Sequence, residues 1–173
     1  MEKYKELLEA VIRKELTVLI DLTVILALIV VFIWVWCFLY FKRMKKRNLR
    51  LYNTEKQTKA RRQSVYASVA LTAVCALLGT FFCFDTANII ADIKKDISLG
   101  EFITYDGRYF VDSDYMRYAP YDRWMSVDFD NGDYAYLYMD NIFEFIKTEE
   151  GEFEGSVVYA KNSLIVVDME NKG

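Results

Sequence analysis

The chain has no histidine, a single proline and only three cysteines in 173 residues. Without imidazole there is no Ser-His-Asp or Cys-His nucleophile, no histidine general base and no histidine-bound metal. Cys37, Cys75 and Cys83 lie in or at the edge of long apolar runs, where free cysteine behaves as a small packing residue. Their spacing sets Cys37 and Cys83 toward opposite faces of a bilayer, out of bridging range. No cysteine occurs after residue 83, so the C-terminal half must hold together without disulfides. Phosphate-cradling loops, nucleophile elbows and metal-ligand spacings are also missing. Asp128, Asp130 and Asp133 crowd one turn, but aligning an EF-hand on Gly132 puts Val127 and Phe129 at the first two ligand positions. A glycosidase carboxylate pair needs a cleft that so small a domain hardly offers. The expectation is a non-catalytic chain without metal or cofactor.

What the chain does have is two apolar runs. Residues 17–41 are apolar apart from Asp21, and Trp34, Trp36, Tyr40 and Phe41 gather at their end as an interfacial belt would. As a helix this run is roughly 37 Å long, enough to cross a hydrocarbon core of about 30 Å. Asp21 falls near the outer end, within reach of headgroups or water, the alternative being an ion or partner contact. The second run, residues 64–84, carries a stripe of small side chains: Ser68, Thr72, Cys75, Ala76, Gly79 and Cys83. Such a stripe lets membrane helices approach closely, here either the first span of the same chain or a second copy.

Between the runs, residues 42–63 hold ten Lys or Arg and one Glu, a net +9. A short loop of this kind stays on the cytoplasmic side, which puts both termini outside in a two-span cell-membrane protein. Residues 85–173 carry eight basic and nineteen acidic groups, a net −11. The chain thus divides into an amphipathic helix (1–16) with Tyr4, Leu8, Val11 and Ile12 on one side, lying at the membrane surface or continuing into the span, then span one (17–41), a basic loop (42–63), span two (64–84), a helical stalk (85–100) along which Ile89, Ile90, Ile93 and Ile97 recur, and an acidic β-domain (101–173).

The β-domain begins with a strand in which Ile103, Tyr105, Tyr109 and Val111 alternate with polar neighbours and Gly107 marks a bulge or bend. A proline-containing loop (112–123) leads to WMSVDF, the turn Asp130-Asn131-Gly132 and DYAYLYM, a strong hairpin signal. Asp140 or Asn141 starts a short helical turn to Ile146, and a second hairpin turns at Lys161-Asn162-Ser163. Three strands, a short helix and two strands, with a long bent first strand, resemble an OB-type five-stranded barrel. The fold class is a membrane α+β protein: a two-helix transmembrane hairpin followed by this barrel.

Hairpin register decides what the tyrosines do. A two-residue turn pairs Phe129 with Tyr134 and sends Tyr134, Tyr136 and Tyr138 into the core. A three-residue loop pairs Phe129 with Asp133, buries Ala135, Leu137 and Met139 beside Met125, Val127 and Phe129, and lines up Trp124, Tyr134, Tyr136 and Tyr138 on the opposite face. The second gives the cleaner apolar side. Those four rings, with Tyr115, Tyr118 and Tyr121 of the loop, are the candidate binding residues for a protein partner in the cell envelope or for a saccharide. The alternative is that they pack on the stalk or the membrane surface. Nucleic acid is disfavoured, because a −11 domain repels phosphate. The favoured function is a membrane-anchored binding or assembly module. The alternative is a subunit of an oligomeric channel or transporter assembled through Ser68, Thr72, Ala76, Gly79 and Cys83.

Overall fold

A computed structural model describes residues 1–47, 55–112, 123–129, 134–140, 142 and 150–171. Two long apolar helices precede a five-stranded antiparallel sheet: α1 (Glu2–Arg47), α2 (Glu55–Leu99), β1 (Phe102–Asp112), β2 (Arg123–Asp128), β3 (Tyr134–Met139), β4 (Gly151–Ala160) and β5 (Val166–Asn171). Both helices are long and apolar enough to cross a membrane. The segment 42–63, read as a loop, is largely helical, since α1 continues to Arg47 and α2 starts at Glu55. Its Lys and Arg side chains have long stems that suit helix, and charge alone does not break one.

By contacts the chain forms two compact units, Met1–Glu15 with Ala87–Gly173, and Leu16–Thr86. The second unit is an antiparallel helical hairpin. Trp34 Nε1 donates to Thr72 Oγ1 at 3.2 Å, Cys37 Sγ lies 3.7 Å from Ser64 Oγ, and the Arg61 guanidinium sits 5.8 Å from the centre of the Phe41 ring. A Cβ added to Gly79 would meet Leu26 Cδ1 at 3.6 Å. Ser68, Thr72, Cys75 and Gly79, three or four residues apart, are therefore the side turned to α1. Ala76 and Cys83, assigned to the same stripe, are exposed. All around the hairpin, large apolar side chains such as Ile25, Leu28, Phe32, Leu77 and Phe81 face outward.

In the first unit the sheet order is β3-β2-β1-β4-β5, curled into a half-barrel. A parallel bridge between Tyr138 and Ile165, with Tyr138 N donating to Leu164 O at 2.9 Å, joins β3 to the start of β5. Tyr109, Val111, Met125, Val127, Leu137, Met139, Val157, Ile165, Val166 and Val167 fill the inside. No bulge occurs at Gly107, which pairs with Gly155; the register shifts instead between Val158 and Tyr159. Gly107 serves a different purpose: a Cβ there would lie 2.5 Å from the Tyr105 hydroxyl, whose ring occupies the space glycine leaves. The inward phase of β1 is otherwise as its alternation implies.

The core is completed by the helices. Leu8, Val11 and Ile93 are buried within it, with Tyr4, Leu7, Ile12, Ile89 and Ile97 packed around. The first helical turns therefore pack on the sheet and run on without a break into the apolar stretch of α1, and residues 87–99 belong to the same compact unit as the sheet. The apolar stripes are those the sequence displays; what covers them is the sheet.

Polar clamps fix these helices to the strands. Asp96 is fully buried, and its two carboxylate oxygens accept from Asn162 N and Nδ2 (2.8 and 2.6 Å) and from Ser163 N and Oγ (both 2.8 Å). Asp140, also buried, accepts from Lys14 Nζ at 2.9 Å and Ile142 N at 3.0 Å. The bond to Ile142 N is a cap-like contact of the kind expected of Asp140, while the turn assigned to residues 141–146 otherwise lies outside the described residues. The Tyr4 hydroxyl donates to Asp168 at 3.1 Å.

Candidate functional site

The β2–β3 register settles which side the aromatic rings take. Asp128 pairs with Tyr134, Val127 with Ala135, Ser126 with Tyr136, Met125 with Leu137 and Trp124 with Tyr138. This is the pairing of the three-residue loop. Met125, Val127, Leu137 and Met139 are buried, and Ala135 packs against them. Phe129, expected inside, is half-buried at the end of the strand, its ring 5.6 Å from that of Tyr105. Tyr134 and Tyr136 are 66% and 57% exposed on the opposite face. Two edge-on ring pairs organise that face, Trp124–Tyr138 at 5.4 Å and Tyr134–Tyr136 at 5.5 Å. Trp124 and Tyr138 are half-buried, and Tyr138, expected as a contact residue of the outer face, packs against the core cluster. Tyr115, Tyr118 and Tyr121 lie outside the described residues.

Neighbouring strands extend the face. Phe110 pairs with Ser126 across β1 and β2 and with Glu152 across β1 and β4, so Glu152, Phe110, Ser126 and Tyr136 form one row across four strands. Phe110 is 46% exposed. Sequence reasoning misses it as a site residue, yet a signal exists: it occupies the outward phase of a strand whose inward phase is Tyr109 and Val111. A large ring at an outward position is the anomaly worth noting.

Where β1 runs past the end of β2 the face deepens into a groove of about 830 Å³. Tyr105, Asp106, Arg108, Phe110, Asp128, Tyr134, Tyr136, Glu152 and Glu154 are among its lining residues. The Tyr105 hydroxyl donates to Asp128 O at 2.6 Å, with Arg108 O also within reach at 2.9 Å, and so ties the two strands where their pairing ends. Arg108 lies 3.8 Å from Glu152, an exposed and weak ion pair. The groove wall is thus aromatic and acidic, with four carboxylates against one guanidinium.

Elsewhere in this unit, burial pushes the Tyr109 and Tyr159 phenols above their ordinary pKa of 10.0. Tyr4 is raised as well, by burial first and by the Asp168 carboxylate beside it. All three are ordinary for phenols packed in or against a core. Among the described residues, no group of three or more Cys, Asp or Glu is placed to hold a metal ion.

No protein-family model, curated protein or solved structure matches the chain.

Proposed function

We infer that the chain is a two-span membrane protein that holds a small OB-type domain outside the cytoplasm as a non-catalytic binding module, its contact surface being the outer face of β1, β2 and β3. The observation that carries the reading is the row of outward rings, Phe110, Tyr134 and Tyr136, exposed on one sheet face while the opposite face is filled by core and helices. Large rings left in water on a regular strand face mark an interaction surface more often than they serve folding.

Several features support the membrane part. None of the most apolar stretch of α1 is buried by the protein, unlike the core helix of a soluble domain. The net +9 between the runs supports a cytoplasmic position for the helix ends that flank residues 48–54. Met1–Glu15 and the β-domain share one compact unit, in keeping with both termini on one side. The parallel bridge from β3 to β5 supports the OB-type assignment, since that closure distinguishes such barrels from a plain meander. The channel or transporter alternative is weakened because Ser68, Thr72 and Gly79 are already turned to α1 within the hairpin.

A photo-reactive phenylalanine analogue placed at Tyr136 of the full chain in cells tests the binding reading. Capture of a discrete envelope component, lost when Phe110 and Tyr134 are changed to Ala, is the expected result. No adduct at Tyr136 or Tyr134 under any growth condition would count against it.

A further inference from the structure

The charge and spacing of the groove say what it takes. The geometry points to a cationic, extended polypeptide segment as the occupant, one that presents Arg or Lys at alternate positions; this rests on the binding role assigned above to the same face.

Two of the three exposed rings have a carboxylate as a cross-strand neighbour, the third, Tyr136, standing opposite Ser126. Phe110 stands opposite Glu152, and Tyr134 stands opposite Asp128. Directly paired side chains on one sheet face have Cβ atoms about 4.5–5.5 Å apart, so one guanidinium can stack on the ring and reach the carboxylate. Tyr134 and Tyr136 are two residues apart on β3, about 7 Å along the strand. That is also the repeat of same-side residues in an extended peptide laid beside it. Arg108 lies 3.8 Å from Glu152 and stands directly opposite Glu154 in the β1–β4 register, whereas Asp106 and Asp128 are exposed and have no ion pair among the described residues. They belong to a −11 region, which adds long-range attraction for a cation and repels an acidic partner. A neutral saccharide would use carboxylates as aligned acceptors held by other groups, whereas here Asp106 and Asp128 have no ion-pair partner among the described residues.

The test uses the full chain in nanodiscs of neutral lipid and three fluorescent probes: the octapeptides (Arg-Thr)4 and (Glu-Thr)4, and chitohexaose. Expected is saturable binding of the arginine peptide at least tenfold tighter than the glutamate peptide. It should weaken at least tenfold in Asp128→Asn/Glu154→Gln and in Phe110→Ala/Tyr136→Ala, and stay unchanged in Glu170→Gln, a charge change on β5. The asparagine and glutamine changes lie at exposed positions and leave thermal unfolding as a check on folding. Equal binding of the two peptides, saturable binding of chitohexaose in place of the arginine peptide, or an equal loss in Glu170→Gln would overturn the proposal. Photo-capture at Tyr136 separates the two levels. An adduct that persists in Asp128→Asn/Glu154→Gln removes the cationic partner and leaves the binding face, whereas the absence of any adduct removes both.

Discussion

Asp96 gains its stability from hydrogen-bond donors of a distant turn. Four donors from Asn162 and Ser163 converge on its two oxygens. Asp96→Ala leaves two backbone N–H groups and two polar side chains to find water in a packed site, at a cost on the order of 3 kcal/mol. Asp96→Asn keeps the volume but turns one acceptor into a donor that faces donors, so it should recover only part of the loss. Thermal unfolding of the purified chain, followed by the circular dichroism of the sheet, ranks the three forms. Tyr109 and Tyr159 give a second expectation at this scale. Burial raises both phenols above 10.0, so the fold holds the neutral form more tightly than the unfolded chain does. Their contribution is fully present below pH 10 and is lost as pH rises through the raised native values. The melting temperature should therefore fall as pH rises above 10.0, and Tyr109→Phe should lessen the fall. If Tyr109→Phe fell as steeply as the unchanged chain, the buried phenol would not be its source.

At the scale of elements, the α1–α2 contact rests on small side chains. Gly79 leaves 3.6 Å between an added Cβ and Leu26, ordinary contact, so Gly79→Ala should be tolerated, whereas Gly79→Leu drives an isobutyl group into the neighbouring helix. Ser64→Cys offers the readout, because native Cys37 Sγ sits 3.7 Å from the Ser64 oxygen. With Cys75 and Cys83 changed to Ser, oxidation should join the introduced thiol to Cys37 with high yield in Gly79→Ala and poor yield in Gly79→Leu. The elements were mostly legible in the sequence. Alternation gave β1 its inward phase, and a preference for a single apolar side chose the β2–β3 register. The seam residues Ser68, Thr72 and Gly79 stood out by size and spacing. What could not be read was where each stripe is spent. Tyr4, Leu8 and Val11 display an apolar stripe, yet periodicity does not say whether lipid or sheet covers it. Asp96 looks like any solvated helix carboxylate, and its burial is imposed by Asn162, 66 residues on. Phe110 escapes notice when its strand is read for the inward side alone.

For the whole molecule, these long-range contacts make the β-domain depend on both helices. Leu8 and Val11 of α1 and Ile93 of α2 are buried in the same cluster as the strand residues. Each contributes about 1.5–3 kcal/mol by burial, against a total stability of about 5–15 kcal/mol for a typical domain. Removing them also opens the cluster they share with the strand residues and leaves Asp140 without its Lys14 partner, an uncompensated buried carboxylate. Residues 99–173 expressed alone should therefore lack a cooperative thermal transition and bind the dye ANS. Covalently supplying residues 1–15 and 87–98 should restore both a sharp transition and low dye binding, since together these are the first compact unit. The contrast is decisive because nothing in the strands changes between the two proteins. A well-dispersed amide spectrum from residues 99–173 alone would mean that the strands close their own core and that the helices merely lie against it. In that event α1 and α2 would be anchors only, and the clamps at Asp96 and Asp140 would lose their structural explanation.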